Sequence, residues 1–524
     1  MLQCKLSDLP PKWDIIVIGG GISGAGIFHE ATKLGIKTLL LEQNDFAWGT
    51  SSRSSKLVHG GFRYLGQGRL GLTRTSVVHR QRLIKEAPGL VEPLGFFLPV
   101  FKQQHPGKWM LGLGMMAYDL MALKNQHRFY GPEELLESEP HLCAEGLLGG
   151  FHFYDAQVDD SRLVLRLIQE GVANGGAAAN YAKVKNINRD RQGHVLGVDA
   201  EDVETGDART FFAPVVINAT GPWTDQLHPL EGTDFHVRLL RGSHLVFSSK
   251  TLPVSHAISF LHPEDGRFVF TIPWEGVVLF GTTDLEHEKA SVDSPKITEK
   301  EVSYLLKGVQ AFFPSLKITR KDCISTFSGV RTVFSKSNKD PSAESREHFL
   351  RTDKGLISVA GGKLTTFRKI AWDVLKLAQP YFTFSLRMDT QTPLFSNSFN
   401  ATSLNSDLSE NAVIRLKGRY GKGAEKLIRE ALPKDLEHIP DTPSLWAELA
   451  YVARYEQVRH LADILLRRVR LGVILPGGGK THMKRIRGLC QAALGWDDAR
   501  WEKEKISYMQ IIQENYAPPS KGLL

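Results

Sequence analysis

Asp14-Ile15-Ile16-Val17-Ile18-Gly19-Gly20-Gly21-Ile22-Ser23-Gly24-Ala25-Gly26 runs four apolar residues straight into a glycine cluster, and an alanine- and glycine-rich helical pattern follows. That order predicts strand, tight turn, helix. Gly19 lets the chain turn sharply, Gly21 lets backbone approach a pyrophosphate, and Gly24 lets the helix pack close on the strand. A phosphate would sit at the helix N-terminus, where unpaired N–H groups and the dipole favour an anion. A second apolar run, Thr38-Leu39-Leu40-Leu41, ends in Glu42, 18 residues beyond Gly24. An acid there accepts hydrogen bonds from ribose hydroxyls and repels a 2′-phosphate. The competing reading is a glycine-rich turn that serves packing alone.

Outward from this unit, Thr50-Ser51-Ser52-Arg53-Ser54-Ser55-Lys56-Leu57-Val58-His59-Gly60-Gly61-Phe62-Arg63-Tyr64 places five hydroxyls in six positions before its apolar part. Such a run cannot build a core. It can offer hydrogen bonds to phosphate and ribose oxygens, or form a polar surface loop. Residues 180–217 alternate like a small β-meander, with Gly193 and Gly206 in the turns. They end in Val215-Val216-Ile217-Asn218-Ala219-Thr220-Gly221-Pro222-Trp223-Thr224, a second strand–turn–helix junction that suits a flavoprotein better than a plain NAD dehydrogenase. A third junction, Leu356 to Thr366, carries Gly361, Gly362 and Lys363. Residues 237–285 predict a mixed sheet that could roof a substrate. Thr298 and Glu301 form a capping box ahead of a helix over 298–313.

The chain has 524 residues, 42% hydrophobic and 23% charged, ordinary values for a globular protein of two to four domains. A net charge of +8 and a pI near 9.1 suit anionic substrates, an anionic lipid surface or nucleic acid without choosing among them. Cys4, Cys143, Cys323 and Cys490 are far apart and form no CxxC, which predicts reduced thiols in a cytoplasmic compartment and no metal framework. The first 13 residues lack an apolar signal core. No stretch approaches the ~20 apolar residues that span a bilayer. Trp109 to Leu123 is apolar and methionine-rich, flanked by Lys102, Lys108, Lys124 and Arg128. It reads either as a buried helix or as an interfacial segment with basic anchors.

Residues 383–410 turn Ser/Thr/Asn-rich and make the best linker. Beyond them, Leu449, Val452, Tyr455, Val458, Leu461, Leu465 and Val469 make one helical stripe over 446–472. Between Arg454 and Arg487 nine Lys/Arg stand against two acids, a solvated face or a membrane or partner surface.

Taken together, the strings DIIVIGGGISGAGI, TSSRSSKLVHGGFRYL, DDSRLVL, INATGPW, RGSHLVF, IPWEG, GTTD, SGVR and GGKLTTFRK closely resemble the FAD-dependent, respiratory glycerol-3-phosphate dehydrogenases of the bacterial short form. The resemblance implies an α/β fold: a Rossmann-like FAD-binding domain of the D-amino-acid-oxidase/glycine-oxidase type, an antiparallel-sheet substrate domain and a helical C-terminal domain. The expected divisions are 12–82, 150–235 and 325–382 for the flavin domain, 83–149 and 236–324 for the cap, and 411–524 for the helical domain. The implied reaction oxidises sn-glycerol 3-phosphate to dihydroxyacetone phosphate by hydride transfer to FAD and passes electrons to a membrane quinone. The implied location is the cytoplasmic face of the inner membrane. Attachment would be peripheral, through 109–123 and the basic C-terminal helices. A homodimer is compatible with this, and no nucleic-acid module is recognised. Ser23, Arg53 and Thr332 depart from the family pattern.

Carried over residue by residue, Arg63, Tyr64 and Arg346 would hold the phosphate, and Lys363 and Arg331 would face the reacting end. His59 and His244 are the candidates for the base. FAD contacts are expected from Gly19, Gly21, Ser23, Gly24, Glu42, Thr50, Ser51, Ser52, Ser54, Ser55, Leu57, Val184, Gly221, Gly362, Lys363, Leu364 and Thr365. The rivals keep the fold: an oxidase that uses oxygen, an amine or amino-acid oxidase, or a non-catalytic FAD sensor.

Overall fold

The computed structural model describes residues 4–61, 70–102, 107–122, 127–228, 236–335, 348–387, 392–396 and 408–519. Ile15–Ile18 lies at the centre of a six-stranded sheet, parallel to Thr38–Leu41 on one side and to Val215–Asn218 on the other. Ala177–Ala179 continues the sheet beyond Thr38–Leu41, and Leu356–Gly361 continues it beyond Val215–Asn218, both parallel. His348–Asp353 closes one edge antiparallel. Side chains alternate across the central strand, as strand geometry requires. Ile15 and Val17 face Phe28 of helix Ile22–Lys33, with helices Asp160–Ala173 and Phe367–Ala378 in the same apolar cluster. Ile16 and Ile18 face the opposite layer, the antiparallel meander Ala182–Arg189, Val195–Asp202 and Ala208–Phe212. Both faces of the sheet are covered, which is why its strands read as unbroken apolar runs.

The second sheet has ten strands and is antiparallel except where Ala257–Leu261 runs parallel to Val91–Phe101. The boundaries expected at 150 and 325 fall inside its ladders. Leu147–Val158 pairs with Val91–Phe101 along its length, and Cys323–Ser335 pairs with His236–Ser248 from end to end. Each of these two ladders runs without a break across the expected boundary. Helix Glu299–Phe312 covers one face of this sheet, begun by the capping box: Glu301 N–H donates to Thr298 Oγ1, and Thr298 N–H donates back to the Glu301 carboxylate. Helix Lys108–Ala122 packs Leu111 and Met115 on the other face but leaves Trp109, Met110, Leu113 and Met116 exposed. Within the expected linker, Leu394 and Phe395 are buried in the flavin-domain core.

The C-terminal region is helical but departs from the single stripe expected over 446–472. Trp446–Tyr455 ends before Gln457, which takes a left-handed φ of 51°, and a short piece from Leu461 stops at Arg470, with φ 67°. The basic run divides: Arg454, Lys480 and Lys484 are exposed, as on a solvated face, while three of its arginines are not. Arg467, Arg468 and Arg470 are buried, because their anionic partners lie in the first domain. Asp45 accepts from both Arg467 and Arg468, and Arg470 lies 3.5 Å from Asp160. Burial by itself would raise the Asp45 carboxyl, but the two guanidiniums outweigh it and hold the group below the usual carboxylate range. Among the described residues no helix is long and apolar enough to cross a membrane.

Candidate functional site

The glycine turn closes as its spacing requires. Gly19 has φ 108°, and a side chain there would come within 2.6 Å of the Ala219 carbonyl oxygen. At Gly24 a Cβ would lie 1.9 Å from the Gly19 carbonyl oxygen, so only glycine lets the helix rest on the turn. Gly21 is the N-cap and offers no side chain. The Ile22 N–H donates instead to Ser51 Oγ at 2.9 Å, which brings the serine-rich loop onto the helix N-terminus. Glu42 closes the next strand. Its two carboxylate oxygens accept from Gly20 N–H at 2.7 Å and Asn44 N–H at 2.8 Å, each keeping a lone pair for a further donor. Burial pushes its carboxyl up, against the pull of those two N–H groups.

A cavity of about 430 Å³ runs across the carboxyl ends of all five parallel strands. Its walls follow the strand order. Ala182 and Val184 come after the outer strand, Glu42 after the next, and Gly19, Gly21 and Ser23 after the centre. Gly221 and then Gly362, Lys363 and Leu364 follow on the far side. Thr50, Ser51, Ser54 and Arg331 also line it. The crevice outside the carboxyl ends of strands is where open α/β sheets bind nucleotides. The donor set fits FAD: a helix N-terminus framed by glycines and Ser51 for the pyrophosphate, an acid at a strand end for a ribose, and room for an extended molecule.

The serine-rich loop is pinned from below. Ser54 donates to Asp160 Oδ2 through both N–H (3.0 Å) and hydroxyl (2.7 Å). Lys56, buried and left-handed at φ 60°, donates to the same oxygen and to the Ser52 carbonyl, each at 2.7 Å. Burial, with Arg470 adding to it, brings the Lys56 ammonium down to about 7 despite Asp160. Arg470 also donates to the Ser52 carbonyl at 2.8 Å, so the C-terminal domain holds this loop directly. Thr50 donates to the Val330 carbonyl. Ser52, Ser55 and Leu57 do not line the cavity. Ser52 is buried, Ser55 Oγ lies 2.9 Å from His244 Nε2, and Leu57 pairs with Gln157 and packs on the cap core. Gly24 acts through packing, and Thr365 is buried with its hydroxyl 3.5 Å from the His59 carbonyl oxygen.

Arg331 lines the cavity and lies 2.5 Å from Asp284 Oδ1. Lys363 leads into the Leu364–Thr366 turn, its Nζ 3.5 Å from Ser76 Oγ. His244 is sealed away from the cavity, 2% exposed and stacked on Phe327 at 4.7 Å. Burial, reinforced by Lys56, pushes its imidazole down to about 3, so it is neutral over the physiological range. His59 is half-buried. Arg63, Tyr64 and Arg346 lie outside the described residues. Lys56, Trp48, Trp223 and Asp284 are structural participants that the motif reading did not single out, and Asp160 is one it offered only as a helix cap. A signal for one was present: of adjacent Asp159 and Asp160 only one can cap the helix, and Asp159 does so, accepting from Arg162 N–H.

A family model for FAD dependent oxidoreductases matches residues 14–368, and one for the C-terminal domain of alpha-glycerophosphate oxidase matches 374–501. The aerobic glycerol-3-phosphate dehydrogenase of Bacillus subtilis (strain 168) is 32% identical, the match covering 98% of this chain and 97% of that one. The enzyme of the same name from Staphylococcus aureus (strain MRSA252) is 33% identical over 87% and 86%. The crystal structure of the glycerol-3-phosphate dehydrogenase from Bacillus halodurans complexed with FAD superposes with a TM-score of 0.78 at 29% identity, covering 98% and 97%. Glycine oxidase from Bacillus cereus ATCC 14579, at 19% identity and a TM-score of 0.54, shares the fold over 70% of this chain and 94% of its own.

Proposed function

The chain belongs to the FAD-dependent glycerol-3-phosphate dehydrogenase family, and on that premise we propose that it oxidises sn-glycerol 3-phosphate to dihydroxyacetone phosphate and passes the electrons to a membrane quinone. The observation that carries this reading is one continuous cavity that runs from the backbone of Ala182–Val184 past the N-terminus of helix Ile22–Lys33 to Lys363 and Arg331.

Val184 would offer backbone to the adenine, Glu42 would take the ribose hydroxyls, and the N-terminus of helix Ile22–Lys33 would hold the pyrophosphate. Gly362, Lys363 and Leu364 close on the flavin end. Bound there, FAD supplies the two-electron acceptor for the hydride that leaves the carbinol carbon. Arg331 donates to the carbinol oxygen and stabilises negative charge as its proton departs. We assign the base to His59. His244 is enclosed, neutral and engaged with Ser55, and its role is to hold the serine-rich loop against the cap. Arg63, Tyr64 and Arg346 take the phosphate, Arg being suited to its fork geometry.

Membrane attachment is assigned to helix Lys108–Ala122 alone. Trp109, Met110, Leu113 and Met116 are 87%, 62%, 67% and 59% exposed and share one face. Such a contiguous apolar patch beside Lys102 and Lys108 is what an interfacial helix presents. The test of the acceptor is steady-state turnover with a soluble quinone analogue under nitrogen, then under air without quinone. Dihydroxyacetone phosphate formed with quinone, and little peroxide in air, supports the dehydrogenase. Rapid peroxide release would make the chain an oxidase.

A further inference from the structure

We propose that Asp284 decides which end of the substrate Arg331 receives: paired to this carboxylate, the guanidinium accepts the uncharged carbinol end and turns the phosphate away. The inference rests on the reading of the substrate as a phosphorylated alcohol and adds the residue that orients it.

Arg331 stands on strand Cys323–Ser335 with its side chain 29% exposed to the cavity, and Asp284 at 2.5 Å is 8% exposed. The segment that carries Asp284 is anchored. Arg267 Nη1 donates to the Asp284 carbonyl at 2.9 Å. The Thr283 hydroxyl donates to Glu301 at 2.7 Å and accepts from Ser243 N–H at 2.9 Å. Glu301, 2% exposed, also accepts from Ser243 Oγ and Arg241 Nη2, each at 2.8 Å. Arg241 in turn sits opposite Val330, the residue before Arg331, in the ladder. The backbone that carries the carboxylate is therefore held in place beside Arg331.

A guanidinium and a carboxylate in contact have almost no net charge. A phosphate dianion drawn to Arg331 would meet the Asp284 carboxylate within a few ångströms, where partial burial strengthens like-charge repulsion. A hydroxyl meets no such repulsion. A guanidinium has five N–H donors, enough to face Asp284 and donate to a carbinol oxygen together. Specificity here comes from a repulsive element beside an attractive one. It leaves the phosphate to cations elsewhere and fixes one direction for the substrate.

The test is calorimetric titration of the oxidised holoenzyme with inorganic phosphate, which needs no turnover. Asp284→Asn keeps the shape and removes the charge. It should bind phosphate at least tenfold more tightly, while flavin reduction by glycerol 3-phosphate slows at least tenfold as substrate binds in reverse. Asp284→Glu should keep phosphate affinity within twofold of the parent. Arg331→Gln should slow flavin reduction yet also leave phosphate affinity within twofold, and it decides the matter should Asp284→Asn fail to retain FAD. No gain in phosphate affinity in Asp284→Asn, or a tenfold loss in Arg331→Gln, overturns the proposal. Failure of the substrate reading shows separately, as an unmodified flavin that glycerol 3-phosphate does not bleach.

Discussion

Asp45→Asn should loosen the C-terminal domain from the flavin domain. In the parent, the Asp45 carboxylate lies between Arg467 and Arg468 and accepts from Asn180 Nδ2 at 3.0 Å, with all four residues buried. Asparagine preserves the shape but removes the one carboxylate that Arg468 contacts among the described residues; another of its donor bonds goes to the Glu456 carbonyl at 2.9 Å. Arg467 keeps Asp463 at 2.5 Å. The variant thus strands one buried cation, and removing one partner of a buried pair costs about 3–5 kcal/mol. The assay is urea unfolding of holoenzyme at fixed excess FAD, because bound ligand itself adds stability. Flavin release and tryptophan emission are followed together, and the first transition is compared, since a chain of this size need not unfold in one step. Arg468→Met in the Asp45→Asn background removes the stranded charge and should recover at least half of the loss. A single variant within about 1 kcal/mol of the parent, well below the range for a broken buried pair, would refute the reasoning. So would a double variant less stable than the single one.

Gly24→Ala must displace the Gly19 carbonyl, a cost at the upper end of overpacking, about 3 kcal/mol, and should weaken FAD binding roughly a hundredfold in fluorescence titration; full flavin occupancy on purification would contradict it. His460 lies 3.2 Å from Glu204 of the meander and 3.1 Å from Glu504, and although burial works against its charged form, the two carboxylates raise its imidazole to about 10. A raised basic group contributes stability that is fully present below about 6.5 and lost as pH rises through its folded value. The domain contact should therefore resist limited proteolysis at neutral pH and give way toward pH 10, a dependence that His460→Gln flattens. Trp109→Ala combined with Leu113→Glu should abolish sedimentation with anionic liposomes while leaving turnover with a soluble acceptor unchanged; retained sedimentation would place the anchor elsewhere.

What could be read from sequence was what neighbours in sequence determine. The Gly19–Gly24 spacing, the Thr298–Glu301 capping box and the meander depend on residues a few positions apart, and the structure forms each of them. The ends of three apolar strands announced where the cavity lies, because each is followed by glycine, a hydroxyl or a charge. The basic C-terminal run was opaque for the opposite reason. The charges of its buried members Arg467, Arg468 and Arg470 face Asp45, which precedes Arg467 by 422 residues, and Asp159 and Asp160. Counting arginines reveals a charge excess and not the acid that faces it. The stripe from Leu449 to Val469 was correctly apolar, yet the left-handed residues Gln457 and Arg470 break the helix without a glycine or proline to mark the place. Asp284 escaped notice because nothing local distinguishes a carboxylate that positions a cation from one that faces solvent.

The most direct test is the anaerobic absorption spectrum of the purified yellow protein before and after addition of sn-glycerol 3-phosphate. The account predicts that the flavin band bleaches with this substrate and not with glycerol or glycine, which identifies substrate class and hydride acceptor at once. A band that stays unchanged in protein shown to contain FAD would contradict the assignment of substrate while leaving the fold and the flavin cavity in place.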